Sequence, residues 1–262
     1  MLYSLSRKLI NMSSNLNGFK NETLLINYLN NKTLKELNDN MQKFIKFLFP
    51  NIKENEKIFT HKGIFGQKPD MVINIGEISK RISVKIGSGN SIHQESIDLF
   101  MSFLTKLNIS ENTKLELLKF HWADGSNDGT GAIRISSSEY KQKNKNQVKL
   151  INDELNKKEN LLPLVERLIF KGKNSNYEEV DLIYYGNINS GHWASKEEII
   201  NYILSKSFKS DSIHLGPLNY QVWNRCLNRN PNTENRRNIM QAKWASILND
   251  LINIEKERDN NE

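Results

Sequence analysis

Asp70 and Lys85 are the residues of this chain whose types and spacing most directly suggest chemistry. Two β-prone runs, Lys68-Pro69-Asp70-Met71-Val72-Ile73-Asn74-Ile75 and Arg81-Ile82-Ser83-Val84-Lys85, are close enough in sequence to form a hairpin. A turn centred between Glu77 and Ile78 sets position 70 opposite position 85 in antiparallel pairing, which makes Asp70 and Lys85 neighbours. A carboxylate that holds a hard cation, beside an ammonium that orients water and steadies charge on a phosphate, is the pairing that metal-assisted phosphodiester hydrolysis requires.

Pro69, Asp70 and Lys85 resemble the signature of the PD-(D/E)xK nuclease superfamily, home of many type II restriction endonucleases, in which Pro-Asp opens one strand and acid-x-lysine lies on the next. The likeness covers residues 18 to 122. Ser83 departs from it, because the familiar pattern carries Asp or Glu there. Residues two apart on a strand share a face, so Ser83 still points with Lys85 and offers a hydroxyl without charge. The second metal-binding acid is then either missing or supplied from elsewhere.

Downstream, Gly87-Ser88-Gly89-Asn90-Ser91 forms a turn-like cluster, and Asn90 or Ser91 is expected to cap a helix from about Ile92 to Leu107. On such a helix Ser91, Gln94, Glu95 and Asp98 share one face. Some restriction enzymes of the superfamily carry a serine in the strand and a relocated glutamate on the following helix. The resemblance therefore implies Glu95 as the replacement acid, with Asp98 in reserve because it lies nearer the family's spacing. Glu22, in Gly18-Phe19-Lys20-Asn21-Glu22, lies where the superfamily often keeps an acid on its first core helix, and is a further metal candidate. The plain alternative is that carboxylates gather in first helical turns through the macrodipole alone. Small residues and a helix N-terminus also suit a phosphate, so Ser88, Asn90, Ser91 and Gln94 are candidate DNA contacts, and His93 reads as a packing or phosphate-contact residue.

The elements needed to position these groups are legible as well. Residues 18 to 49 carry apolar residues at helical spacing, interrupted at Asn30-Asn31-Lys32 and stopped by Pro50, which predicts two helices. Strands are expected near 57–62, 70–75 and 81–86, and again near 115–122 after the helix. That order resembles the superfamily's αβββαβ core, an α/β fold with a mixed central sheet flanked by helices. The expected division is a nuclease core over 1–135 and a mainly helical C-terminal region over 136–262, packed on the core, for DNA recognition or subunit contact.

Past Ala123, Asp124-Gly125-Ser126-Asn127-Asp128-Gly129 opens like a calcium loop, but Ile135 replaces the required glutamate, so a turn is expected. The Lys-, Asn- and Gln-rich stretch 139–158 reads as a solvated helix or an arm following a DNA backbone. Beyond it lie an apolar helix near 161–170, a strand near 180–185, and a helix opened by a Ser195–Glu198 capping box. In 213–225, Gln221, Asn224 and Arg225 suit base edges and phosphates, as do Arg236 and Arg237 further on. A final helix is expected to gather Met240, Trp244, Ile247, Leu248 and Leu251 into one apolar stripe.

The chain has 262 residues, 37% of them hydrophobic, enough for one large core or two modest ones. Lys and Arg number 37 against 30 Asp and Glu, and the net charge of +7 favours a polyanionic partner, although Lys and Asn abundance also follows an AT-rich genome. One cysteine, Cys226, excludes a disulfide framework or a cysteine-rich zinc site and fits a reducing cytoplasm. No apolar run reaches membrane-spanning length, and residues 1–10 lack a signal-peptide core.

The resulting expectation is a Mg²⁺-dependent, cytoplasmic endonuclease of a restriction-modification system, acting on double-stranded DNA at a specific sequence. Asp70, Lys85 and Glu95 would be catalytic, and Asp70, Glu95 and Glu22 would face the metal. The resemblance implies 5′-phosphate and 3′-hydroxyl ends. No nucleotide-hydrolase loop is present, so no ATP is expected. A separately encoded methyltransferase is the expected companion, and a homodimer is left open. The alternatives are a structure-specific or repair nuclease of the same superfamily, and an inactive nucleic-acid-binding protein on the same scaffold.

Overall fold

The computed structural model describes residues 18–64, 66–87, 90–173, 179–223, 225, 227 and 231–260. The first elements in chain order are α1 (18–29), β1 (Lys32–Thr33), α2 (Asp39–Leu48), β2 (Lys57–Lys62), β3 (Met71–Ile75) and β4 (Ile78–Lys85). Next come β5 (Ser91–Ser96), α3 (Ile97–Lys106), α4 (Glu111–Trp122), α5 (Ser137–Lys143), α6 (Lys145–Leu155) and α7 (Lys158–Val165). The chain continues with β6 (Leu182–Gly186), β7 (Gly191–Ser195), α8 (Lys196–Ser205), β8 (His214–Leu215) and β9 (Leu218–Val222), and closes with α9 (Pro231–Glu234), β10 (Ile239–Lys243) and α10 (Ile247–Asp259). Together they make a mixed α/β protein of two compact units: residues 1–90, 170–202 and 246–262 form one, and 91–169 with 203–245 form the other. Among the described residues no helix is long and apolar enough to cross a membrane.

The first unit holds a six-stranded sheet in the order β1-β2-β3-β4-β6-β7, in which only the β4–β6 pair is parallel. Strand β3 is buried at four of its five positions, the near-continuous apolar reading of a strand covered on both faces. Helix α2 starts where the Asn38 side chain accepts a hydrogen bond from the Met41 amide, 3.0 Å. It buries Met41, Phe44, Ile45 and Leu48, spaced three and four apart. These join Leu25 and Leu29 of α1 and Met71, Ile73, Ile82, Val84, Leu182 and Tyr184 of the sheet in one core. Phe44 sits at its centre, its ring 4.7 Å from that of Tyr184 and 5.4 Å from that of Trp193. The capping box expected at α8 is present, with Ser195 N donating to Glu198 at 2.8 Å and Glu198 N donating to Ser195 Oγ at 3.2 Å.

The second unit holds a four-stranded antiparallel sheet in the order β5-β10-β9-β8. Here several sequence expectations are corrected. Residues 92–107 are not one helix. Ser91–Ser96 is strand β5, its alternation burying His93 and Glu95 and exposing Gln94, and Ser96 rather than Asn90 or Ser91 caps α3. The strand expected near 115–122 is helix α4, capped by Ser110, with Thr113, Leu117 and Phe120 buried at helical spacing. The strand that lies parallel to β4 is instead β6, a hundred residues further on.

The C-terminal region carries more helix than strand, but it is not divided off at residue 135. It returns β6, β7 and α10 to the first unit and gives β8, β9 and β10 to the second. The apolar stripe expected on a final helix is also divided, since Met240 lies on β10, Trp244 precedes α10, and only Ile247, Leu251 and Ile254 form the buried helical stripe. Phe44→Ala should lower stability by about 3–5 kcal/mol, read as a fall in the urea midpoint with the slope unchanged. A midpoint near that of the parent would remove Phe44 from the load of the core.

Candidate active site

The site is built on the β3–β4 hairpin. Ile75 pairs with Ile78 and Met71 with Ile82, so the two-residue turn is Gly76-Glu77, and Gly76 takes φ +57° at the position where such a turn wants glycine. Continuing this register sets Asp70 opposite Ser83, two residues away from the expected pairing with Lys85. Because two residues are one full period of the pleat, Lys85 stays on the same face and still reaches Asp70.

One carboxylate oxygen gathers the site. Asp70 Oδ2 accepts from Ser83 Oγ at 2.9 Å, from the Val84 amide at 2.7 Å and from Lys85 Nζ at 3.1 Å. Lys85 Nζ also donates to the Val84 carbonyl at 3.1 Å. Burial pushes the Asp70 carboxyl up, but the Lys85 charge and these hydrogen bonds outweigh it and hold it below the usual carboxylate range. Its other oxygen, Oδ1, accepts no hydrogen bond among the described residues.

The backbone around Asp70 is fixed on both sides. Its amide donates to Ile82 O at 3.0 Å, and its carbonyl accepts from Gly63 N at 3.1 Å. A Cβ on Gly63 would stand 1.8 Å from the Pro69 carbonyl oxygen, so this approach requires glycine. Beyond Lys85, the Tyr185 hydroxyl of β6 donates to Gly87 O at 2.8 Å.

Glu22 lies within electrostatic reach of Asp70 and Lys85. Helix α1 is tied to the end of β6 by Asn21 Nδ2, which donates to Gly186 O at 2.8 Å, and to β2 by Thr60 Oγ1, which donates to Ile26 O at 2.8 Å. The Glu22 carboxyl is raised, first by burial and then by the Asp70 charge, with Lys85 and Lys62 pulling the other way. Its ion pair among the described residues is long, 3.9 Å to Lys62 Nζ. Half-buried Lys68 was missed from the sequence although it directly precedes Pro69-Asp70. Burial and the Lys85 charge push its ammonium down to about 7 against the pull of Asp70.

Asp70 and Glu22 are the residues here that could hold a hard cation. The described residues hold no group of three or more His, Cys, Asp or Glu able to bind a metal. The site offers two carboxylates, Asp70 with an oxygen, and Glu22 with both, that accept no hydrogen bond among the described residues. Mg²⁺ is commonly held by one or two carboxylates, with water and substrate phosphates completing its shell.

The other sequence candidates are placed differently. Glu95 is on β5 in the second unit, not at a helix N-terminus, and its side chain is fully buried. Arg167 Nε donates to Oε1 at 3.0 Å and Nη2 to Oε2 at 2.5 Å, while His93 Nε2 lies 3.2 Å from Oε1. Burial pushes this carboxyl up, but His93 and Arg167 together hold it low. Asp98 is exposed in the first turn of α3.

Among the expected DNA contacts, Ser88 and Asn224 lie outside the described residues, and Asn90, with φ +36°, ends a segment of the first unit. Arg225 and Arg237 are buried. Arg225 bonds Ser137 Oγ and the His121 carbonyl, and Arg237 pairs with Asp124 at 3.0 Å and Glu234 at 3.1 Å. The same Asp124 accepts from the Ser126 amide at 3.0 Å, closing the turn expected there.

Ser91, Gln94 and Gln221 come together on the β5-β10-β9 sheet, with a partner the spacing alone could not select. Gln94 pairs with Gln241, and Gln241 with Gln221, so three amides form one cross-strand row, and Gln241 Nε2 donates to Ser91 Oγ at 2.8 Å. Gln94 and Gln221 are exposed, as is Arg236, whose guanidinium lies 4.4 Å from the Trp223 ring centre.

The chain matches no protein-family model, and no curated protein is significantly similar to it in sequence.

Two outcomes are expected. Arg167→Met leaves the Glu95 charge buried without its main partner and should cost about 3–5 kcal/mol at neutral pH. Because the folded-state pKa of Glu95 is depressed, the stability the pair contributes is present above the unfolded carboxylate pKa and is lost as pH falls through the folded value. The penalty of the variant should therefore shrink in acid, and a pH-independent loss in chemical denaturation would refute the charge account. Glu22 has the opposite sign. A carboxyl raised on folding destabilises the chain once ionised, a penalty absent in acid and complete above the folded pKa. Glu22→Gln should thus raise the melting temperature at pH 7 in EDTA and lose that gain in acid, whereas an unchanged or lower value at pH 7 would mean the carboxylate is not strained.

Proposed function

We propose that the chain is a Mg²⁺-dependent endonuclease that hydrolyses phosphodiester bonds of double-stranded DNA at a specific sequence and leaves 5′-phosphates, with a restriction-endonuclease-like core in its first unit. The observation that carries this reading is the convergence of Ser83, the Val84 amide and Lys85 on Asp70, with Glu22 near enough for the charges of Asp70 and Lys85 to act on it.

In this reading Glu22 and Asp70 hold the ion, and Glu22 takes the part that the sequence assigned to Glu95, whose charge Arg167 already neutralises. The ion, when bound, supplies electrostatic stabilisation of the phosphate and lowers the pKa of a water. Ser83 and the Val84 amide fix the orientation of Asp70 so that Oδ1 stays available. Lys85, held between Asp70 and the Val84 carbonyl, orients the attacking water and steadies negative charge as it develops on the phosphate. Lys68, directly before Pro69-Asp70, adds a second basic group near Asp70. The exposed amides of Gln94 and Gln221 and the Arg236 guanidinium suit base edges and phosphates. A cytoplasmic site of action, no need for ATP, and a separately encoded methyltransferase belong to the same proposal.

Ser83 in place of an acid favours one second reading, an inactive nucleic-acid-binding protein on this scaffold. Incubation with unmethylated DNA and Mg²⁺, followed by end-mapping of discrete fragments, separates the two, and cleavage of flaps or junctions irrespective of sequence would indicate a structure-specific nuclease instead. Lys85→Ala should lower the cleavage rate by at least about a hundredfold with duplex binding largely kept, as many other cations attract phosphate. Cleavage by Lys85→Ala at the parental rate, or none by the parent on any of these substrates, ends the catalytic assignment.

A further inference from the structure

A second basic feature lies wholly within the second unit. A cleft of about 800 Å³ opens beside α5 and α6, lined by Lys141, Lys145 and Lys149 on one side and by Lys209 among residues 208–211 on the other. Its walls are fixed to each other. The Asn152 side chain donates to Ser212 O at 2.9 Å and accepts from the His214 amide at 3.0 Å, and Lys141 Nζ donates to Ser212 Oγ at 2.9 Å. The cleft therefore needs little ordering to bind, which lowers the cost of association.

Its charge is not balanced internally. Lys149 is paired with Asp153, which removes one cation and one anion. Lys145 and Lys209 are exposed and make no ion pair among the described residues, and Asp211 is the one other carboxylate in the lining. Lys145 and Lys149 lie one helical turn apart, about 6 Å along the axis, with Lys141 on the preceding helix. Several cations are thus spread over both sides of one cleft, which suits a phosphodiester backbone carrying repeated charge. The net charge of +7 acts in the same direction.

We propose that this cleft seats the phosphodiester backbone of a nucleic acid, holding the strand at a place separate from the Asp70–Lys85 chemistry. The proposal extends the nucleic-acid reading above and does not require cleavage. Lysine contacts to phosphate position a strand without reading its sequence, and each releases condensed counterions, so each should appear in the salt dependence of binding.

The test is the affinity of the full chain for a labelled duplex in EDTA, followed by fluorescence anisotropy across a salt series. The double variant K145A/K209A should weaken binding to every duplex sequence alike and reduce the slope of log affinity against log salt by about two, roughly one per phosphate contact. Lys106→Ala, an exposed lysine outside the cleft, should leave the slope unchanged. Melting temperatures of the variants equal to the parent's would show that only the surface has changed. An unchanged slope in K145A/K209A overturns the proposal. So does stoichiometric binding of ATP or tripolyphosphate that K145A/K209A abolishes while duplex binding is untouched, which would assign the cleft to a free phosphorylated ligand. Duplex binding with the expected slope change but no Mg²⁺-dependent cleavage would sink the nuclease reading and leave this one standing, and cleavage with an unchanged slope would do the reverse.

Discussion

Three donors on one oxygen of Asp70 constrain much of the first unit. A one-residue slip of β4 against β3 would turn Ser83 and Lys85 to the opposite face and remove two of the three donors. The register must therefore be held from several sides. The glycine of the Gly76-Glu77 turn holds one end, and the close approach of Gly63 to Pro69 holds the other. The parallel ladder from Ile82–Leu182 to Lys85–Tyr185 holds the outer flank of β4. What this rigidity preserves is an asymmetry within one carboxylate, with Oδ2 saturated and Oδ1 left over.

The two acids of the site are driven in opposite directions by their surroundings. Asp70 is held ionised by a lysine and three hydrogen bonds, while Glu22, facing the charge of Asp70 in a partly buried setting, holds its proton more tightly than a free carboxyl. Pairs of titratable groups pushed apart in this way are typical of functional sites. Glu95 shows the contrasting case. It is more deeply buried than either, yet both its oxygens are matched by Arg167 and one is also close to His93, so its charge is internally compensated. Compensated charge serves the fold, and uncompensated charge is available for a ligand.

How much of this was legible in the sequence follows from the range of the interactions involved. Helices α1 and α2 and strands β2 to β4 declare themselves through local periodicity, and the Asp70–Lys85 neighbourhood survives a two-residue error in register because side-chain direction repeats every two residues. Segment 91–96 looks helical from the sequence because Ser91, Gln94, Glu95 and Asp98 carry helix-like spacing, and only from Ile97 is it a helix. Its strand character depends on β10 and on Arg167, 72 residues beyond Glu95, without which a buried carboxylate there would be untenable. The strand near 180–185 is legible, but its place is not, since no local signal says that a strand will pair in parallel with one a hundred residues earlier. Arg225 and Arg237 looked like phosphate contacts by composition, and only tertiary burial reveals them as partners of the His121 carbonyl and of Asp124.

The β4–β6 pairing also orders events in time. Arg81 and Asp181, bonded through the Arg81 amide at 2.8 Å, are separated by 100 residues, most of which belong to the second unit. A ribosome adding about 5–20 residues per second delivers β6 some five to twenty seconds after the Asp70–Lys85 hairpin has emerged. During that interval β4 has an open edge, and α1 lacks the Gly186 carbonyl that anchors Asn21 beside Glu22. The acids and the lysine therefore take up their final arrangement only after β6 has been made, so a nascent chain of this protein carries the chemical groups of the site before it carries the site.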